Sequence, residues 1–255
     1  MGRSVRVIPI LLLRGRGLVK TRKFKDPTYI GDPINAIRIF NEKEVDELML
    51  LDIEATVSGH GPNLEVIRSV AGECFMPLAY GGGVGSLSQI EAVLKIGVEK
   101  VSLNAALLEK PHFVRDAVRE YGRSTIVGSI DYRRSLLGGA VPLIRSGSKR
   151  TNNSLVDYAK YAEQLGVGEI VLQSIDQDGA MTGYDIDAIK SVAEAVRVPV
   201  IAAGGAGSLA HMRAAVHEGG AAAVAAGAFF VYVGKHRAVL ITYPTQKQLQ
   251  GEVFV

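Results

Sequence analysis

The sequence predicts a single closed (β/α)8 barrel assembled from two similar halves, and three observations carry that prediction. Continuous apolar runs alternate with amphipathic stretches along all 255 residues, and eight such βα units in this length are the dimensions of the barrel. The runs are apolar throughout rather than at every second position, as parallel strands buried on both faces require. The chain also repeats itself. Gly81-Gly82-Gly83-Val84-Gly85-Ser86-Leu87 returns as Gly204-Gly205-Ala206-Gly207-Ser208-Leu209, with Gly82 and Gly204 122 positions apart, and the same offset carries Glu47 onto Glu169 and Ile53 onto Ile175. No linker divides the chain, so residues 1–255 are expected to form one barrel with halves at about 1–122 and 123–245.

The elements follow in order. A first strand is expected near 5–13, where Val7 to Leu13 is apolar. A basic segment comes next, holding Arg14, Arg16, Lys20, Arg22, Lys23 and Lys25 with no acid among them. Asp32-Pro33 reads as an N-cap followed by a first-turn proline, opening a helix near 33–43. A strand near 47–53 precedes a helix near 62–72. The strand near 76–80 runs through the first glycine turn into a helix near 86–95, for which Ser86 is the N-cap. A strand near 99–103 and a helix near 111–120 complete the first half. The strand near 125–131 enters a segment, 132–152, longer than most βα loops; it carries Arg133, Arg134, Arg145, Lys149 and Arg150, and its residues 135–144 look like a small inserted β-hairpin. Then come a helix near 153–164, a strand near 168–174, a helix near 185–194, a strand near 199–203, the second glycine turn, a Ser208-capped helix near 208–217, a strand near 222–226 and a helix after 235.

Composition narrows the function. Hydrophobic residues at 47% and charged residues at 22% are ordinary for a soluble globular protein. No apolar run is long enough to span a bilayer, and Met1 to Arg6 lacks the apolar region of a signal peptide, so a cytoplasmic location is expected. Cys74 is the only cysteine, which excludes an intrachain disulfide and a cysteine metal cluster; it is expected to be a buried small hydrophobe. The five histidines show no ligand spacing, and neither a metal nor a cofactor is expected. A net charge of +3 does not argue for nucleic acid. The two basic segments each read as a solvated loop; if both open on one face, that face attracts an anion.

Barrels of this kind carry their sites at the C-terminal ends of the strands. The candidates there are Asp52, Gly82, Gly83, Asn104, Asp131, Ser174, Asp176, Gly179, Gly204, Gly205, Ala226 and Gly227. A glycine turn between strand and helix lets backbone N–H groups wrap a phosphate, and two matched turns suggest a ligand with a phosphate at each end. The same glycines also serve simply to allow tight turns.

Several stretches together resemble the HisF family, the cyclase subunit of imidazole glycerol phosphate synthase. They are Arg6-Val7-Ile8-Pro9, Gly31-Asp32-Pro33, Asp46-Glu47-Leu48, Leu51-Asp52-Ile53, Gly81-Gly82-Gly83, Lys100-Val101-Ser102, Ser174-Ile175-Asp176-Gln177-Asp178-Gly179, Thr182-Gly183-Tyr184-Asp185 and Ala203-Gly204-Gly205-Ala206-Gly207, and the likeness reaches Gly227. The resemblance implies a barrel that receives ammonia from a bound HisH-like glutaminase and passes it along its interior to a bisphosphorylated ribulosyl-formimino ribotide at the opposite face. It implies a pair of aspartates for proton transfer, of which one is present as Asp131 and the other is replaced by Leu12. Leucine transfers no proton, and general acid–base catalysis contributes about 10²–10⁴-fold. Asn104 and the mobile-loop Lys20 match, but hydroxyl residues of the family's phosphate sites are replaced by Ala105, Ala180 and Gly227. Arg6, Glu47, Lys100 and Glu169 match a charged gate at the bottom of the barrel, although buried charges in any barrel must pair. Glu99 matches an acid at the glutaminase interface.

A subgroup fits more closely. The stretch Leu11 to Ala36 and the tail His236 to Pro244 resemble the second HisF-like proteins of surface-polysaccharide gene clusters, the WbuZ-type glycosyl amidation proteins, in which Leu12 is at home. That likeness implies three partners: a HisH-like glutaminase, a third, ATP-using amidating protein, and a phosphorylated or nucleotide-sugar ligand. It implies a role in amidating an acetamido sugar, with neither nucleic acid nor membrane involved. The alternative expectation is a working cyclase of histidine synthesis in which another group replaces the missing acid. A phosphosugar isomerase of the related half-barrel lineage, and a barrel with neither turnover nor ammonia transport, are two further readings; Leu12 opposes the first and the charged quartet the second.

Overall fold

The computed structural model describes residues 5–135 and 138–255. Among them, eight parallel strands close into a barrel: β1 (Arg6–Arg14), β4 (Leu48–Asp52), β5 (Leu78–Gly81), β6 (Lys100–Leu103), β7 (Ile126–Arg134), β10 (Glu169–Ser174), β11 (Val200–Ala203) and β12 (Ala223–Ala226). Each pairs with its chain neighbours, β1 also pairs with β12, and β10 pairs with β7, so no barrel edge remains open. Every expected barrel strand is present.

Two non-overlapping apolar clusters show how the pleat is used. Val7, Leu11, Leu13, Leu48, Leu50 and Tyr80 point outward and pack under helix residues such as Phe40, Ile67 and Ile90. Ile8, Ile10, Leu12, Met49, Ala79, Val127, Val171, Ile201, Ala203, Ala223 and Ala225 fill the interior. This period-two division is what strands buried on both faces produce. The helices Pro33–Glu42, Leu64–Glu73, Leu87–Lys95, Pro111–Tyr121, Leu155–Gln164, Ile186–Ala193 and Leu209–His217 surround the barrel. Asp32, Ser86 and Ser208 cap their helices as expected, each side chain accepting from backbone N–H groups of the first turn.

The two basic segments are hairpins rather than open loops. β1 is longer than its neighbour β12, which pairs only with Arg6–Pro9. The upper part of β1, Leu12–Arg14, would be an unpaired edge, and β2 (Gly17–Arg22) fills it antiparallel, followed by β3 (Lys25–Gly31). β7 repeats the arrangement: β6 reaches only Gly128, and β8 (Ala140–Ile144) covers Asp131–Arg134, with β9 (Lys149–Arg150) beyond it. The hairpin expected wholly within 135–144 therefore has the barrel strand itself as one arm; Leu136 and Leu137, like Met1–Ser4, lie outside the described residues. Phe24 at the tip of the first hairpin packs against Gly147 beyond β8, so the two hairpins meet over the mouth of the barrel.

Three expectations need correction. The helix after 235 starts only at Gln246 and ends at Glu252, because Gly234, Val239, Ile241 and Pro244 disfavour helix before the Thr245 capping box; a small ribbon, β13 (Tyr232–Val233) with β14 (Ala238–Val239), takes its place. Cys74 is half-buried, its thiol donating to the Met76 carbonyl. Short helices at Ala55–Ser58, Ala105–Glu109 and Ala228–Val231 follow three strands; each is too short to leave a periodic signal in the sequence. No helix among the described residues is long and apolar enough to cross a membrane. Replacing the caps by Ser86→Ala or Ser208→Ala is expected to cost about 1 kcal/mol each, read as a lowered urea midpoint with little change in far-ultraviolet circular dichroism.

Candidate functional site at the two ends of the barrel

The lower end of the barrel is closed by charge. Arg6 on β1, Glu47 just before β4, Lys100 on β6 and Glu169 on β10 meet at the N-terminal ends of the strands. The Arg6 fork bridges the two acids, bonding Glu47 through one nitrogen and Glu169 through the other at 2.5 Å. Lys100 Nζ donates to both oxygens of Glu47, at 3.1 and 3.0 Å, and to Glu169 at 3.1 Å. All three ammonium protons thus find acceptors, and two cations balance two anions. Burial acts against the charge on Arg6, but Glu47 and Glu169 together outweigh it and hold the guanidinium above its ordinary pKa. Above this ring the interior is apolar, and many of its side chains are only alanine or valine. Glu99 is exposed beside Lys100 on the lower face.

The upper end holds a cavity of about 570 Å³. Its lining brings together Leu12, Lys20, Gly82, Gly83, Asn104, Asp131, Gly179, Gly204, Gly205, Ala226 and Gly227, all expected from the sequence. Asp176 is not brought there. Its carboxylate accepts the Arg134 N–H at 2.9 Å and lies 4.0 Å from Arg133. Asp178, two residues on, is the acid that enters the cavity, and the sequence reading named it only as part of a motif. It accepts from the Thr21 hydroxyl at 2.7 Å and from the Phe24 N–H at 3.3 Å, and it lies 3.9 Å from the Lys20 ammonium. The usable signal was the spacing: of two acids separated by one residue, only one faces inward.

Both basic segments do open on this face, but several of their cations are already paired. Arg14 bonds Glu54, Arg16 bonds Glu65, Arg134 bonds Asp185, and Arg145 and Lys149 share Glu109. Lys20 is the buried cation of the cavity, whose lining also holds Lys110 and Arg145. It is 5% exposed, and burial pushes its pKa down while Asp178 partly restores it.

Asp131, at 8% exposure, accepts from the Asn104 amide at 3.2 Å. Burial, followed by the charge of Asp178, raises its carboxyl to about 7. A carboxyl poised there exchanges a proton near neutrality. The position opposite offers none: Leu12 sits beside Ile10 and Leu51 as an apolar wall. The glycine turns are demanded by packing alone. A Cβ on Gly205, whose φ is 118°, would lie 2.0 Å from the Gly183 carbonyl oxygen, so glycine at this turn is needed whether or not a ligand binds. Among the described residues no three metal-ligating side chains cluster.

Because Asp131 binds its proton more tightly folded than unfolded, stability is full below about pH 4 and falls as pH rises through about 7. Asp131→Asn is expected to flatten that decline, which has a limiting slope of about 1.4 kcal/mol per pH unit, in denaturant titrations between pH 4 and 8. Asp178→Asn is expected to lower the Asp131 pKa without returning it to the carboxylate norm, as followed by carbonyl-region infrared or carbon-13 resonance.

Sequence comparison agrees with this geometry. The profile of the family described as histidine biosynthesis protein matches residues 6–236. A Pseudomonas aeruginosa protein provisionally named imidazole glycerol phosphate synthase subunit hisF2 is 52% identical over 244 residues, 96% of this chain and 97% of its own length. A Vibrio vulnificus protein provisionally named subunit hisF3 is 45% identical, covering 95% and 94%. The imidazole glycerol phosphate synthase subunit HisF of Thermobifida fusca is 38% identical, covering 90% and 91%. By profile, relatives and barrel alike, the chain belongs to the histidine biosynthesis protein family, as a HisF-like barrel of the imidazole glycerol phosphate synthase group.

Proposed function

We propose that this protein is the ammonia-conducting barrel subunit of a glutamine-dependent amidotransferase system, of the WbuZ type, serving surface-polysaccharide synthesis. The carrying observation is the coexistence of an intact charged ring at the lower end with Leu12 in place of a proton-transfer acid at the upper end. A charged quartet in a barrel core is costly to bury, and its retention makes sense where something must pass it. In this reading a HisH-like glutaminase docks on the lower face around Glu99, and ammonia crosses the ring into the apolar interior. A third, ATP-using protein then uses it to amidate an acetamido sugar. The relatives' names as subunits fit a protein that works in a complex.

A second reading keeps a specific observation in its favour. Asp178 joins Asp131 in the cavity, with Asp52 and Glu109 also in its lining, so a second carboxyl group stands near Asp131 even though position 12 is leucine, and a cyclase of this kind would use that pair. Turnover of the ribulosyl-formimino ribotide with an ammonium salt at mildly alkaline pH separates the two readings, because free ammonia removes the need for a glutaminase. The conduit reading expects no imidazole glycerol phosphate from folded protein. The cyclase reading expects product, and about a 10²-fold or larger loss in Asp178→Asn.

The conduit reading also expects a glutaminase encoded beside this chain to co-purify with it and to hydrolyse glutamine about tenfold faster in its presence. Glu99→Lys is expected to weaken that complex by about tenfold, roughly 1.4 kcal/mol, in a calorimetric titration. A chain that neither binds nor stimulates the glutaminase overturns the reading.

A further inference from the structure

The upper cavity has two unlike walls. The consecutive barrel strands β6, β7 and β10 line it with Ser102, Ser129 and Gln173. On the opposite side of the closed ring, β1 and β4 contribute Ile10, Leu12 and Leu51. Register sets the depth: Leu12 stands level with Leu51, Leu51 with Gly81, and Gly81 with Ser102. Leu51 lies over Gly81, where a Cβ would come 2.8 Å from its Cδ2 and 3.1 Å from the Ser102 Cβ. The apolar wall therefore runs up to the polar one at the depth of Leu12.

The polar wall is uncharged along these three side chains, and it is unused. Among the described residues nothing bonds the hydroxyls of Ser102 and Ser129 or the amide of Gln173. Ser102 is more than nine-tenths buried. The Gln173 amide reaches the second glycine turn, with Nε2 3.1 Å from where a Gly204 Cβ would lie. Asn104, higher on β6, is already spent: its nitrogen donates to the Ser129 carbonyl at 3.1 Å and to Asp131 at 3.2 Å, and its oxygen accepts the Arg145 N–H at 3.2 Å. Polar groups left open in an enclosed site call for partners. Two hydroxyls and an amide suit a neutral group that both donates and accepts. A sugar hydroxyl would use that wall and leave the leucines facing water. A secondary amide with a short alkyl tail satisfies both walls at once, its N–H and C=O on the polar side and its methyl on the leucine side.

We propose that the upper cavity binds an N-acetylated sugar by its acetamido group, with the methyl against Ile10, Leu12 and Leu51 and the amide on Ser102, Ser129 and Gln173. The proposal rests on the reading of the chain as a conduit for acetamido-sugar amidation. It adds that this barrel holds the acyl group itself, directly above the interior through which ammonia would arrive. Leu12 is then a specificity residue, because an acid there would set a charge where the methyl sits. A cavity of about 570 Å³ falls in the ordinary range for small-molecule sites and leaves room for the sugar ring above the amide.

The test uses the purified chain alone, without glutaminase or ammonia. It is titrated calorimetrically with N-acetylglucosamine 1-phosphate and with glucose 1-phosphate, which carries a hydroxyl in place of the acetamido group. A methyl seated in an apolar pocket is worth about 10–200-fold, so the acetylated sugar is expected to bind at least about tenfold more tightly. Leu12→Asn, polar, uncharged and checked for an unchanged melting temperature, is expected to bring the two sugars within about threefold of each other. A second readout uses the unaltered protein: nuclear Overhauser contacts are expected between the acetyl methyl and the methyls of Leu12 and Leu51. Equal affinity for the two sugars, no binding of either at millimolar concentration, a preference that survives Leu12→Asn, or acetyl contacts confined to other residues would each overturn the proposal. Any of these leaves the conduit reading standing if the glutaminase is still bound and stimulated. Loss of that stimulation with the acetamido preference intact would remove the conduit reading and keep the site.

Discussion

Everything functional in this molecule is placed by the two-residue alternation of side chains along strands that close on themselves. Once the sheet closes, each inward side chain shares one enclosed volume with the inward side chains of seven other strands, and its height is set by register. Glu169 stands level with Val127, and Arg6 with Ala223. Four ends of that volume carry charge and meet as a ring. Two residues higher, the same strands offer Ile8, Met49 and Val171, with Ser102 above Lys100, and the interior turns mainly apolar. A slip of one residue in any of these strands would send its charge outward and its neighbour inward, so the ring and the apolar interior stand or fall together.

Strand length does the rest. β1 and β7 outrun their neighbours β12 and β6, and each leaves an unpaired upper edge that a hairpin covers. Those hairpins deliver Lys20, Thr21 and Phe24 from one side and Arg145 and Ser146 from the other. The roof of the cavity is thus a consequence of satisfying backbone groups on two overlong strands.

This explains which parts were legible in the sequence. The barrel strands showed as apolar runs because both of their faces are buried, and the caps at Asp32, Ser86 and Ser208 showed because their chemistry is local. The ring was legible only through the resemblance to the HisF family; the repeat set Glu47 and Glu169 at matched places but did not join them to Arg6 and Lys100. The first hairpin was not legible, since Arg14 to Lys25 is polar at most positions and its pairing with β1 depends on where β12 happens to stop; the second was expected within 135–144, but without β7 as one of its arms. Asp178 was hidden for a related reason: Asp176 and Asp178 are the same chemistry on one loop, and only contacts with Thr21 and Phe24, more than 150 positions away in the chain, select the inward one.

The upper cavity balances charge differently from the ring below, and position 12 is where the difference begins. The ring balances two fixed cations against two fixed anions. The cavity sets one buried lysine against the buried acids Asp52, Asp131 and Asp178, with Glu109 paired to Arg145 in its lining. Burial and the neighbouring acid hold Asp131 near 7, so close to neutral pH it carries its proton much of the time. A carboxylate at position 12 would add a further buried acid facing the single lysine, raising the cost of ionising all of them. With leucine there, Lys20 faces no fourth buried carboxyl group. Leucine at position 12 therefore spares Asp131 a like charge that would hold its proton more firmly still, so Leu12, Lys20 and Asp131 are best understood as one electrostatic unit.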